Sequence, residues 1–256
     1  MPSPKYHHGD LKNALIEAGI KILSKEGVGG LSLRKVAKRA GVSHSAPYAH
    51  FTDKQSLIAA ISTEGFKQLY AELDAAVSPY ASDPKQQLLE GAWVYVQFAL
   101  NNRDTFHIMF SGILEKEKDY PAFVEISRKN FERVVDIVRA CQDAGVLRPA
   151  PPEIMALTVW GQLHGIISLI LEGNVSHVIL DRFSIREMML FAMNQMVLGA
   201  KFASIHYDGG PKIQPADVPD PSASVDIHRI QALARPQMSH DLEMQQRDRA
   251  ENDGED

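Results

Sequence analysis

Within twelve positions the chain sets out Ser43, His44, Ser45, Tyr48, His50 and Lys54, six side chains that can each give or share a hydrogen bond. The small groups at 43–46 leave that stretch slim enough to approach base edges, while Tyr48 and His50 can donate to phosphate oxygens. Just upstream stand Arg34, Lys35, Lys38 and Arg39. The chemistry on offer is recognition of a polyanion. Bond breaking has weaker support: the ten histidines show no triad or metal spacing, and there is no glycine-rich phosphate loop. No catalytic residue, metal ligand or cofactor is therefore expected. An enzyme stays the rival class only because a site can be assembled in space from distant residues.

These groups need elements to hold them. Ser32 opens a short helix in which Leu33, Val36, Ala37 and Ala40 are apolar and the four cations point outward. Gly41 stops it. Gly41-Val42-Ser43 then reads as the turn before a second short helix, 44–50, and the pair reads as a helix-turn-helix whose second helix enters a major groove. Pro47 is the awkward residue: with Ser43 as N-cap it forfeits the first intrahelical bond, which leaves open whether this helix starts late or is tightened in its first turn. Thr52, with Gln55 three residues on, predicts a capping box and a helix running to Pro79. Its first turn carries Lys54, and its amides favour an anion.

Helical spacing also predicts a first helix from an N-cap at Asp10 to a stop at Gly27. Asp83-Pro84-Lys85-Gln86 opens another, and further stretches cover roughly 103–111, 121–144, 151–173 and 184–206, the last with Ser184 and Glu187 as a capping box. No alternation is long enough to predict a strand. Beyond residue 207 proline, glycine and aspartate replace apolar residues, and 208–256 is expected to be a disordered acidic tail, with a short helix conceivable within 226–234.

Charge divides the same way. The chain of 256 residues has net charge −5, yet residues 1–60 carry nine Lys/Arg against four Asp/Glu, whereas 61–207 carry thirteen against seventeen and 208–256 five against eleven. A basic head on an acidic body is the footprint of a nucleic-acid reader, although a solvated basic face would look alike. One cysteine, Cys141, excludes an intrachain disulfide and fits a reducing compartment. No signal peptide and no run of eighteen uninterrupted apolar residues is found, so a soluble cytoplasmic protein is expected, without a membrane partner.

The runs Leu33 to Ser43, Tyr48-Ala49-His50-Phe51 and Lys54-Gln55-Ser56-Leu57 resemble the DNA-binding domain of the TetR (tetracycline repressor) family of bacterial transcriptional regulators. Pro47 departs from its commonest pattern. The resemblance implies phosphate contacts from Ser32, Tyr48 and Lys54. Trp160-Gly161-Gln162-Leu163-His164-Gly165 resembles the WHG subgroup of C-terminal domains, implying a helical dimerisation and ligand-binding domain. It also makes His107 and Phe110, in the segment that couples pocket to head, pocket candidates. The expected organisation is all-α: a polar arm (1–9), a three-helix bundle with the helix-turn-helix (10–57), a helical ligand-binding and dimerisation domain (58–207), and the tail.

In that second domain Trp160, Leu163, His164, Ile167 and Leu171 share one helix face, and Gly161, Gly165 and Ser168 form a stripe of small residues beside it. Two helical glycines cost about 1 kcal/mol each, so another helix, such as its copy in a twofold dimer, should approach closely. His164 reads either as a core histidine with satisfied nitrogens or as a polar group facing a ligand, and Trp160 as packing or pocket. Met188, Met189, Met193 and Met196 read as core or dimer packing, Cys141 as a small buried hydrophobe, and His7-His8 as part of the arm.

The leading expectation is a homodimeric DNA-binding regulator, a repressor released by a small apolar ligand and reading a pseudo-palindromic operator with half-sites roughly 34 Å apart. The alternative is a DNA-binding regulator without such a ligand, controlled by a protein partner through the acidic tail.

Overall fold

The computed structural model describes residues 8–197, and among them every regular element is helical. The arm before His8 and the tail expected over 208–256, with its short helix, lie outside the described residues. In chain order the α-helices are α1 (His8–Gly30), α2 (Leu33–Ala40), α3 (Lys54–Val77), α4 (Pro84–Asn101), α5 (Arg103–Phe110), α6 (Pro121–Asp143), α7 (Pro152–Leu171), α8 (His177–Leu180) and α9 (Ile185–Asn194). Ala46–Ala49 forms a 3-10 turn, as do Ser78–Tyr80 and Glu117–Asp119.

Helix α1 begins at His8, so Asp10 is not its cap. The stop expected at Gly27 is a kink, with φ 66° and ψ −172°, after which the chain coils on to Gly30. Helix α2 obeys its local signals. The Ser32 Oγ accepts from the Lys35 amide at 3.3 Å, and Gly41, at φ 72°, closes the other end by donating to the carbonyls of Ala37 and Lys38. Leu33, Val36 and Ala37 are buried, while Arg34, Lys35, Lys38 and Arg39 are exposed. Leu15, Leu57, Ile58 and Phe51 belong to the same core, which packs α1 against α2 and α3.

Two starts differ from expectation. Asp53, not Thr52, caps α3: its Oδ1 accepts from the Ser56 amide at 2.7 Å, and the Ser56 Oγ accepts in return from the Asp53 amide at 3.2 Å. The second helix of the helix-turn-helix, expected over 44–50, is a 3-10 turn. Proline supplies no N–H at 47, and the bonds that close the turn run from Tyr48 to Ser45 and from His50 to Pro47.

Helix α3 then runs unbroken from the head into the body, so the boundary drawn at 57/58 falls inside one helix. It packs against α4, α5 and α6, with α7 lying across α4 and α6 and α9 across α4 and α7. Its junction with α5 is tight, since a Cβ added to Gly65 would lie 2.4 Å from the Met109 Sδ. The Asp83 cap of α4 accepts from the Gln86 amide at 3.0 Å, and Ser184 with Glu187 forms the expected capping box on α9. Helix α9 ends at Asn194, residues 198–206 of the stretch expected to reach 206 lie outside the described residues, and Val197 pairs with Leu147 in an isolated bridge. Met189, Met193 and Met196 are buried, and Cys141 is a buried free thiol. It donates to the Pro84 carbonyl at 3.0 Å, and burial pushes its pKa up to about 11.

Helix α7 is long and apolar enough to cross a membrane by length and composition, although Gln162 and His164 interrupt its run. Only 28% of that stretch is buried within the chain. Its exposed apolar side carries Ile154, Leu157 and Leu169. Between them, a Cβ added at Gly161 or Gly165 would meet nothing within 4 Å, so among the described residues no helix makes the close approach expected there.

Candidate nucleic-acid interface and ligand cavity

In the head, the short 3-10 turn follows α2 after the glycine turn, and the two elements are packed together. Pro47 is buried and anchors the turn from beneath, leaving Tyr48 58% exposed. Ser43, His44 and Ser45 are exposed, with the two serine hydroxyls 3.2 Å apart, and Ser32, Arg34 and Lys54 are exposed as well. His50 differs: its ring packs beside Phe51, and its Nε2 is buried with no partner, so that nitrogen is not presented outward. Lys54 occupies the first position of α3. Its side chain is exposed, while the Ser56 amide of the same turn is already taken by the Asp53 carboxylate, so any phosphate contact here rests on the lysine charge and the amides of the turn's first two residues.

Head and body are also stitched by a side chain that the sequence reading assigned elsewhere. Gln55, expected to answer Thr52, instead donates to the Ile113 carbonyl at 3.4 Å and accepts from the Glu115 amide at 3.1 Å. It thereby ties the start of α3 to the loop after α5.

The body holds a partly open apolar cavity of about 160 Å³ between α3, α4, α6 and α7. Phe66, Leu69, Tyr95, Asn130, Phe110 and Trp160 are among its walls. Two of the four pocket candidates, Phe110 and Trp160, therefore meet there, with ring centres 5.9 Å apart. His107 does not: it is exposed and lines a wider open groove between α1, α5 and α7. His164 borders that groove too, and its Nδ1 lies 2.7 Å from the Tyr95 hydroxyl, which accepts from Trp160 Nε1 at 3.0 Å.

Burial orders this relay. It pushes the Tyr95 pKa up and the His164 pKa down, so both groups are held neutral. The network closes when Tyr95 donates to Nδ1, and the imidazole then keeps its proton on Nε2. His164 is thus a histidine with a satisfied nitrogen at the back of the cavity wall. Tyr95 and Asn130 were missed in the sequence. The signal for Asn130 was its spacing from Phe123, Val134 and Ile137 on α6, which sets it on the inward face of an otherwise polar run.

Comparison with known proteins matches two parts of the chain. A profile described as "Bacterial regulatory proteins, tetR family" matches residues 15–61, and one described as "Tetracyclin repressor-like, C-terminal domain" matches residues 88–193. Tetracycline repressor protein class A from transposon 1721 of Escherichia coli is 35% identical over 79 residues, 31% of this chain and 35% of its own. The uncharacterised HTH-type transcriptional regulator YobS of Bacillus subtilis (strain 168) is 28% identical over 111 residues, 43% of this chain and 57% of its own. This chain thus spans about a third of the first and just over half of the second. A solved structure of a protein of unknown function from Rhodococcus sp. RHA1 shares 33% identity at a TM-score of 0.62, covering 75% of this chain and 96% of that one.

Proposed function

Because the chain belongs to the TetR family of bacterial regulatory proteins, a family of regulators rather than enzymes, we propose that it is a cytoplasmic, homodimeric repressor that binds a pseudo-palindromic operator and is released by a small apolar ligand. The observation that carries the DNA-binding part is the exposure of Ser43, His44, Ser45 and Tyr48 on a proline-anchored turn, between the cations of α2 and Lys54 at the start of α3. The seryl and histidyl groups reach base edges. Ser32, Arg34, Tyr48 and Lys54 hold phosphates and fix the register.

The exposed stripe of Ile154, Leu157, Gly161, Gly165 and Leu169 on α7 supports the dimer. A second copy of that helix covers apolar surface the chain leaves open, and the two glycines admit its backbone. The fragment Trp160 to Gly165, which resembles the WHG subgroup, places a cavity wall and this small-residue stripe on one helix. Phe110 and Trp160 at the cavity support the ligand.

Selection of bound sequences from a random duplex pool tests the reading. The wild type should enrich a palindrome with half-sites roughly one helical turn apart. Tyr48→Phe and Lys54→Ala should weaken binding evenly across sequences, and Lys54→Ala should lower the salt slope by about one. A folded dimer that enriches nothing over random duplex overturns the proposal.

A further inference from the structure

The cavity between α3, α4, α6 and α7 is walled almost wholly by carbon, and among the described residues the lining side chain left with an unpaired polar atom is Asn130. This residue is 7% exposed, and its Nδ2 donates at 2.9 Å to both the Phe66 and the Ile126 carbonyls. Carbonyl oxygens only accept, so these two bonds fix which end of the amide is nitrogen. The Oδ1 is left buried without a protein partner. The other polar groups of the wall are engaged: the Tyr95 hydroxyl with Trp160 and His164, and the Ser127 hydroxyl with the Val124 carbonyl at 3.1 Å. Among the described residues no Lys, Arg, His, Asp or Glu lines the space.

We infer that this cavity binds an uncharged, largely apolar molecule about one ring in size that carries a single O–H or N–H donor directed at Asn130 Oδ1. The assignment deepens, and rests on, the reading of the cavity as the ligand site of a regulator. Size follows from the volume: a cavity of about 150 Å³ lined by apolar side chains admits benzene. Neutrality follows from the walls, because an ion entering here sheds its hydration and finds no opposite charge. The donor follows from Asn130, since a ligand that excludes solvent without matching a buried acceptor leaves it unpaired. Phe66, Phe110, Phe131 and Trp160 offer edges and faces that suit a ring.

Titration of the full-length protein with p-cresol, toluene and benzoate near neutral pH, followed by calorimetry, tests this, with operator binding measured separately. p-Cresol should bind about tenfold more tightly than toluene, and benzoate should show no saturable binding. In Asn130→Leu the preference for p-cresol should vanish while toluene still binds. Equal affinity of the wild type for p-cresol and toluene, saturable binding of benzoate, or no binding of any of the three overturns the assignment, and these outcomes need no variant that might fold poorly. If p-cresol binds as expected and operator affinity does not change, the assignment stands and the cavity's regulatory role falls.

Discussion

A single hydrogen bond decides how His164 behaves with pH. Its Nδ1 is matched to the Tyr95 hydroxyl only while the ring is neutral, and burial already opposes the charged form. The folded pKa is therefore lower than the ordinary 6.5, and the unfolded chain takes up the proton first as pH falls. Stability should accordingly be intact above pH 6.5 and decline below it, down to the depressed folded value. Chemical denaturation across that window should show this slope in the wild type and a flatter one in His164→Gln. The same bond separates two roles that look alike in a sequence. A histidine one turn from Trp160 suggests a ligand contact, yet the ring spends its nitrogen on a tyrosine from another helix.

Among the elements, the glycine turn of the head is the most exacting. Gly41 sits at φ 72°, where a Cβ costs about 1–2 kcal/mol, although nothing crowds the position. Gly41→Ala should lower unfolding stability by that amount, measured by thermal or urea denaturation, with the loss coming from backbone conformation alone. This turn, the Ser32 cap, the Asp83-Pro84 start and the Ser184–Glu187 box were legible in the sequence because each is a local signal that a few neighbours complete. Thr52 and Asp53 were not separable in that way. Both have short oxygen-bearing side chains, and the choice fell to Asp53 when Ser56, rather than Gln55, answered the cap. Gln55 was drawn off by the loop at Ile113 and Glu115, a contact 58 residues distant in sequence. The 3-10 form of the turn at Ala46–Ala49 was one of the two that Pro47 left open, and Asn130 stood at inward spacing on α6, but the Phe66 carbonyl it binds belongs to another helix that spacing alone does not name.

At the scale of the molecule, the proposed dimer rests on the exposed apolar side of α7. Leu157 is 53% exposed in that stripe, one turn from Gly161, so Leu157→Glu should leave the helical content of each chain intact while shifting the protein to monomer, as read by circular dichroism and light scattering. Operator affinity should fall with it, because one head alone engages one half-site. Helix α3 adds a mechanical consequence. It spans 24 residues, about 36 Å at 1.5 Å per residue, with Lys54 at one end and Leu69 and Leu73 against the cavity. An unbroken helix of this kind works as gearing. A tilt of about 5° pivoting near Leu69 would sweep Lys54 through about 2 Å, and a symmetric pair of such rods would change the separation of their tips by up to about 4 Å. An occupant that merely spreads the cavity walls can thus be amplified into a misfit against the fixed pitch of a duplex, with no need for the head itself to deform.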